Sequence, residues 1–494
     1  MDSSSGFWSV FFISILCLLF FFLLHRRDRG NRHLPTIWPF LGMLPALVVN
    51  VHRLHDFFTE VLGATGCTFV FHGPWFSSMK FFVTCDPANV NHVFNANFRN
   101  FPKGPGFSEI FDILGDGIFN ADDESWLSQR RKAQLLMAQP RFRAFVLRCS
   151  REKVENGLLP LLRRVSEEGS TVDLQDVFLR LTFDITCNLV FGVDPVSLSP
   201  EFPTIPFAKA MDEAMAAILH RHTLPSTWWK LMRRFMLGRE RSLANAWLVI
   251  DEFISESIAK SKGQFFSEGS DDLLSAYIQD SAVTGNSSDK FLRDTTVNLM
   301  LAGRDTTGSA LSWFFYLLCE NQSIEAKVLD EIRKTKEPTG QGNELVYLHA
   351  ALCEALRLYP PVPFESKGVA KGEMMPSGKR VEPGMQVLFS TYSMARMERI
   401  WGKDCLQFRP ERWINEKGAV RHEPAYKFMA FNCGPRTCLG KEVAFTQLKT
   451  VAAAVLKEFR VVVVEGHVVA PAASIILHMR NGLKVKVTRR DENI

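Results

Sequence analysis

The chain has 494 residues, 46% of them hydrophobic, and a formal net charge of +5. That supplies ample apolar side chain for a large core, and the mild charge, with no basic tract alternating with aromatics, argues against nucleic-acid recognition. Ten cysteines are scattered through apolar runs, as in Thr186-Cys187-Asn188-Leu189-Val190-Phe191, which suits reduced, buried thiols and not a disulfide framework.

The length prior suggests about three domains. No linker, repeat or low-complexity tract divides the chain, however. The simpler expectation is one large helical domain behind a short anchor. Phenylalanine outnumbers tyrosine 41 to 6, adding apolar surface without polar handles. A Phe-rich core and a pocket for an apolar substrate both fit that bias.

In chain order, Phe7 to Leu24 is an apolar run interrupted only by Ser9 and Ser14. As a helix it would extend about 27 Å, near the hydrocarbon thickness of the endoplasmic reticulum bilayer. A cleaved signal peptide fits less well: no Lys or Arg precedes the run and no small-residue cleavage site follows it. Arg26, Arg27, Arg29 and Arg32 come immediately afterwards, so the positive-inside rule places the rest of the chain in the cytosol. The expected division is a membrane anchor at 1–30, a proline-containing connector at 31–48 with Pro35, Pro39 and Pro45, and a catalytic domain at 49–494. The sequons at Asn286 and Asn321 would then be silent, because they never meet the lumen.

Residues 69–85 hold β-type runs around Gly73-Pro74. From Ala88 to about Ile332 the apolar spacing is mostly helical, punctuated by Gly104-Pro105-Gly106 and Gly115-Asp116-Gly117. Trp126 and Arg130, four apart, face the same way on a basic amphipathic helix. Asp289 to Glu320 reads as one long helix with Asp289 as its cap. Gly303 and Gly308 weaken its middle, each by about 1 kcal/mol relative to Ala, and let it open where a ligand approaches. Within it Asp305-Thr306 is either a proton-delivery pair or a buried threonine bonding back to its own helix. Glu354 and Arg357 share a helix face. Strand-like runs return at Met385–Ser390, Arg460–Val464 and Leu483–Val487. The fold class expected is mainly α with small β-sheets.

The run Phe431-Asn432-Cys433-Gly434-Pro435-Arg436-Thr437-Cys438-Leu439-Gly440 reads as a loop that presents the Cys438 thiolate to a metal. Two glycines permit turns that a β-carbon would obstruct, and Arg436 places a cation two residues before the sulfur. A phosphate loop fails on spacing: five residues separate Gly434 from Gly440, and Glu442 follows Lys441 where Ser or Thr is required. Zinc lacks its paired cysteines. A single thiolate among glycines with a nearby arginine suits a haem iron.

Phe431, Gly434, Arg436, Cys438 and Gly440 resemble, position by position, the haem-binding signature of the cytochrome P-450 monooxygenases. Glu354-Ala355-Leu356-Arg357, Phe408-Arg409-Pro410-Glu411-Arg412 and Ala302-Gly303-Arg304-Asp305-Thr306-Thr307 match further motifs of that family in the expected order. The resemblance implies the P-450 fold behind a transmembrane helix and haem b with Cys438 as the axial ligand of its iron. It implies Arg436, Trp126 and Arg130 at the haem propionates, with Phe431 in the loop. Asp305 and Thr306 would deliver protons while dioxygen is activated for insertion into a C–H bond. Glu354, Arg357 and Arg412 would form a buried network supporting the thiolate loop. With no flavin or nicotinamide fingerprint in the chain, a membrane reductase using NADPH is implied as electron donor, docking on Arg130, Arg131, Lys132 and Lys441.

Ala302–Thr307 with Ala310–Phe315, together with Gly115–Ala121, Tyr347–Glu365 and His422–Phe428, resembles the plant group that hydroxylates fatty acids and alkanes. Within it they fall with the branch holding mid-chain alkane hydroxylases of cuticular wax and phenol-coupling enzymes of amaryllis-type alkaloid biosynthesis. The coupling subgroup is expected to lack the Asp-Thr pair, which this chain keeps, so hydroxylation of a long aliphatic chain is the first expectation. Phenol coupling is the alternative, and a haem protein that senses or stores a ligand without turnover is a third. The family's substrate-contacting regions fall on Phe107–Phe119, Val297–Ala302, Val362–Phe364 and Ile475–Leu477, which are dominated by apolar residues. The segment Lys334–Val346 is shorter than in relatives and lacks room for a small helix there.

Overall fold

In the computed structural model, residues 34–77, 79–263, 271–284, 288–335 and 345–490 are described. The anchor run Phe7–Leu24 lies outside them, as does 336–344 of the short segment. Among the described residues no helix is long and apolar enough to cross a membrane.

The elements that position the site are α1 (Gly104–Ile110), α2 (Asp123–Met137), α3 (Leu174–Phe191), α4 (Pro206–Thr223), α5 (Ser226–Arg234), α6 (Gly238–Gly263), α7 (Asp289–Glu320), α8 (Val346–Leu358) and α9 (Lys441–Glu458). The fold is mainly helical, with small sheets. Strands β1 (Thr68–His72), β2 (Lys80–Thr84), β7 (Gln386–Ser390) and β4 (Phe364–Gly368) form one sheet in the order β1-β2-β7-β4. The β2–β7 pairing is parallel and the two outer pairings antiparallel. A second sheet runs β3-β9-β8, from Thr171–Asp173, Lys484–Arg489 and Phe459–Val463; β5 (Glu373–Met374) pairs with β6 (Arg380–Val381). Two apolar clusters form the core. The larger joins the long helices, and the smaller packs Leu54–Ala64 against the four-stranded sheet. The connector joins the smaller one, because Met43 and Leu47 are buried there.

Helix α7 runs over the predicted span, but its cap differs. Ser288 sits in extended backbone and its Oγ accepts from the Phe291 N–H at 3.3 Å, while Asp289 is the first helical residue. A serine one residue earlier satisfies the same free donors.

The glycines of α7 also have a different purpose. A β-carbon on Gly303 would lie 2.7 Å from the Thr186 hydroxyl, and one on Gly308 would lie 2.9 Å from a Leu179 methyl. They let α7 close onto α3, and the Thr182 hydroxyl then reaches the Arg304 carbonyl at 2.8 Å. Close packing is what these glycines allow. At the other end, Ser309 Oγ and Trp313 Nε1 both donate to the Leu477 carbonyl at 2.7 Å. This pins the 475–477 segment to the central helix.

Candidate active site

The loop before α9 is built by its own backbone. Asn432 and Gly434 take positive φ values of 61° and 63°. The Cys438 N–H donates to the Phe431 carbonyl at 2.8 Å, and Thr437 caps the Gly434 carbonyl through both its N–H (3.0 Å) and its hydroxyl (2.6 Å). The two cysteines of the loop part company. Cys433 is buried and its sulfur accepts from Asn95 Nδ2 at 3.5 Å. Cys438 is the one exposed cysteine of the nine described. Burial nevertheless pushes its thiol upward, opposed by the Gly440 N–H, Arg130 and Lys441. The Cys438 sulfur is thus accessible while protein around it desolvates the thiol. The ring of Phe431 packs on Phe445 of α9, with centroids 5.2 Å apart.

The predicted charge triad exists. Arg357 grips Glu354 with two bonds, Nε to Oε2 at 2.7 Å and Nη2 to Oε1 at 2.8 Å, and Arg412 Nε reaches Oε1 at 3.2 Å. Sequence reasoning missed a fourth member: Trp413 Nε1 donates to Oε2 at 2.8 Å. Arg357 also donates to the carbonyls of Ala395 and Cys405 at 2.6 and 2.8 Å. Its charge is spread over neighbouring chain segments, as a buried ion requires.

On α7, Thr306 is half-buried and its Oγ1 donates to the Ala302 carbonyl at 2.7 Å, the bond an ordinary helical threonine makes. Asp305 is buried and accepts from Arg304 Nη1 at 2.9 Å. Burial raises its carboxyl above the usual range, and Arg304 and His478 oppose that rise. The two side chains are adjacent in sequence but bonded elsewhere.

The irregular stretch after α1 is tied down from α7. Asn298 Oδ1 accepts from the Phe119 N–H at 3.1 Å, its Nδ2 donates to the Leu114 carbonyl at 2.9 Å, and Asp294 Oδ2 accepts from the Asp116 N–H at 2.9 Å. Side chains at Gly115 and Gly117 would collide with Asp294 and Asn298. Those two glycines were the visible signal; their partners lie far along the chain. Arg221 of α4 secures the same stretch, bonding Asp112 at 2.8 Å and Glu240 of α6 at 2.8 and 2.7 Å.

The family description cytochrome P450 matches residues 33–487. The chain belongs to the cytochrome P450 family. It is 44% identical to noroxomaritidine synthase 1 of Narcissus pseudonarcissus, over 99% of each chain. It is 41% identical to alkane hydroxylase MAH1 of Arabidopsis thaliana, over 98% of this chain and 99% of that one. With cytochrome P450 86B1 of Arabidopsis thaliana it shares 43% identity, over 96% and 89%. The chain is therefore a P450 monooxygenase, whose cofactor is haem b under thiolate ligation and whose electrons come from an NADPH reductase.

The residues present fit such a P450 cofactor. Arg436 stacks 4.7 Å over the Trp126 ring, bonds Asp122 at 2.7 Å and the Ala121 carbonyl at 2.6 Å, and keeps a buried Nε without a protein partner. Arg130 lies 5.9 Å from the same ring and close enough to Cys438 for their charges to interact. Sequence reasoning missed Lys367 of β4. Its buried ammonium has no hydrogen-bond partner and sits 5.3 and 5.2 Å from the rings of Phe94 and Phe98. Burial, then Lys103 and Arg436, pushes that lysine well below its ordinary range. Lys103 itself is ion-paired with Glu365. Among the described residues, Lys103, Lys367 and Arg436 meet the carboxylates of Asp122 and Glu365, and with Arg130 beside them the formal excess is two positive charges. A ligand with two carboxylates, as haem has in its propionates, meets that excess. The clue in the sequence was Glu365 and Lys367 two apart on one strand.

The expected reductase face needs one correction. Lys132 turns inward, bonding Asp280 at 2.6 Å and standing over Tyr277 and Phe291. Arg131 and Lys441 remain exposed.

Proposed function

We propose that this P450 hydroxylates a long aliphatic chain, an alkane or fatty acid of the cuticular-wax kind. The observation that carries this reading is how the Phe107–Phe119 stretch disposes of its charges. Asp112 is turned to Arg221 and to Arg233 of α5, at 2.8 and 2.7 Å, and Asp116 to Lys290. Phe107 and Phe111 stack 4.4 Å apart, and Ile110 and Phe119 pack against the large helical core together with Leu299 and Ile475. A wall from which the carboxylates have been withdrawn binds hydrocarbon by burial. It leaves the polar groups of a strongly cationic ligand unpaired.

The roles follow. The Cys438 thiolate would ligate the haem iron, with Arg436, Trp126, Arg130 and Lys367 meeting the propionates and Phe431 steadying the loop. When bound, haem supplies the chemistry that activates dioxygen and inserts one of its atoms into an unactivated C–H bond. The chain excludes water, orients the substrate and moves protons. Thr306 gives up its bond to Ala302, accepts a proton from Asp305 at Oγ1 and releases its own hydroxyl proton onward; the raised Asp305 carboxyl holds a proton more readily than an exposed aspartate.

Arg131 and Lys441 are the proposed contact for the acidic face of the reductase. Membrane attachment is part of the same reading. Phe40 and Trp75 stack 6.0 Å apart beside exposed Ile37, Trp38, Leu41 and Phe76, directly after the apolar N-terminal run. We assign 1–30 to a single-pass anchor in the endoplasmic reticulum, 31–48 to the connector and 49–494 to the cytosolic catalytic domain.

Phenol coupling is the second reading, favoured by the 44% identity to noroxomaritidine synthases. Titration of the holoenzyme, read from its haem absorbance, separates the two. Aliphatic ligands should bind with affinity rising up to about fourfold per methylene, and turnover should yield an alcohol detected by mass spectrometry. A response to phenolic amines alone, with coupled product, gives the second reading the site.

A further inference from the structure

At the end of the β1–β2 pair, Cys67 and Cys85 face each other. The register pairs Thr68 with Thr84, so Cys67, just before β1, stands opposite Cys85, just after β2. The Cys85 N–H donates to the Cys67 carbonyl at 3.0 Å. Hydrogen-bonded partners across antiparallel strands have Cα atoms about 5.5 Å apart, inside the range that a disulfide spans. The backbone around the pair is already held. The Thr68 and Thr84 hydroxyls meet at 3.0 Å, Asn89 Nδ2 donates to them at 3.2 and 2.9 Å, and Thr84 Oγ1 reaches the Cys67 carbonyl at 3.1 Å. The two thiols differ. Both are buried in the smaller core, and burial pushes Cys85 well above the ordinary thiol range. Cys67 is shifted the other way: a hydrogen bond from Cys85 lowers it, burial opposes that, and Arg399 adds to the lowering against Asp86. Cys67 also lies near the surface. Gly66 before it is exposed, and Arg399 covers it by donating to the Gly66 carbonyl at 2.9 Å. A thiol beside a cation, with a second thiol to resolve it, is an arrangement that peroxide oxidises selectively.

We propose that Cys67 and Cys85 are a reversible oxidation site, converted by hydrogen peroxide to a disulfide that staples β1 to β2. The Cys67 thiolate attacks one peroxide oxygen and the O–O bond breaks. The departing hydroxide takes up the proton that Cys67 had lost, leaving a sulfenic acid and water. The Cys85 sulfur then attacks the Cys67 sulfur, the S–O bond breaks, and the hydroxyl leaves as a second water with the Cys85 proton. Two thiols give up two electrons, and peroxide is reduced to two waters. A small dithiol reverses the change. Strand β2 lies between β1 and β7, and the core beneath it also holds Phe94 and Cys433. The staple therefore tightens the body against which the thiolate loop packs.

The experiment uses the full-length holoenzyme as wild type, Cys67→Ser and Cys85→Ser. Each is treated with hydrogen peroxide at a level that leaves the haem absorbance intact, then alkylated and digested. Trypsin cuts after Lys80, between the two cysteines. The disulfide therefore appears in wild type as two joined peptides, two hydrogens lighter than their sum, which dithiothreitol separates. Oxidised wild type should melt about 3 °C above the reduced protein. Dithiothreitol should cancel that rise, and neither variant should show it. If one variant fails to fold, the other and the wild type still carry the comparison. Both cysteines alkylated after peroxide, Cys67 joined to another cysteine, or Cys67 carried on to sulfinic acid without a link would each overturn the site. A Cys67–Cys85 link that leaves melting unchanged would overturn the staple.

Discussion

Gly434 lies so close to Phe94 that a β-carbon on it would stand 2.9 Å from the Phe94 carbonyl carbon and closer still to the oxygen. With φ at +63° the position also sits where L side chains are strained. Both faults act on the loop that carries Cys438. Gly434→Ala should destabilise the holoenzyme by about 1–3 kcal/mol and speed haem loss, read by thermal melting and by haem transfer to an acceptor apoprotein. Wild-type melting and retention would show that the loop tolerates the contact.

Glu354 accepts five hydrogen bonds in a fully buried place, two from Arg357 and one each from Arg412, Trp413 and the Arg409 N–H. Glu354→Ala leaves the buried Arg357 guanidinium without its carboxylate, while Arg412 keeps Asp404 at 3.1 Å, so a loss of about 3–5 kcal/mol is expected. The measurement is denaturant unfolding, or soluble yield where the variant does not fold. A loss under 1 kcal/mol would mean that the triad contributes little to the fold.

Lys367 gives a pH dependence with a definite sign. Its folded-state pKa is depressed by burial, so between that value and the ordinary lysine range the unfolded chain binds the extra proton. Stability of the haem-free protein should therefore rise with pH across that window. Lys367→Met should flatten the slope and stabilise the haem-free form, while haem leaves the loaded form faster. Equal haem retention in the two proteins would remove Lys367 from the propionate site.

These cases show what the sequence made legible. The thiolate loop, the span of α7 and the Glu354–Arg357 pair are local patterns, and local spacing carries them. Lys367, Trp413 and the pairing of Asp294 and Asn298 with Gly117 and its neighbours are contacts between distant segments, which no local spacing encodes. Gly303 illustrates the intermediate case. The residue stood out, but its reason is Thr186 on another helix, and helix propensity alone suggested weakness in place of close packing. Ser288 shows the ordinary slip of one residue at a helix end.

Thr306 bonds the Ala302 carbonyl in the resting arrangement, so its hydroxyl has to change partner to act. Thr306→Ala should keep haem and substrate affinity, because it removes only the hydroxyl and the γ-methyl, yet send more NADPH-derived electrons to peroxide. A product-to-NADPH ratio equal to wild type would take Thr306 out of proton delivery.

The central claim is that Cys438, and not its neighbour Cys433, is the thiolate ligand. The reduced holoenzyme under carbon monoxide should show the red-shifted Soret band of thiolate-ligated haem. Cys438→Ser should abolish that band. Cys433→Ser, which changes a buried sulfur that accepts from Asn95, should keep it. A band that survives Cys438→Ser, or disappears with Cys433→Ser alone, would contradict the account.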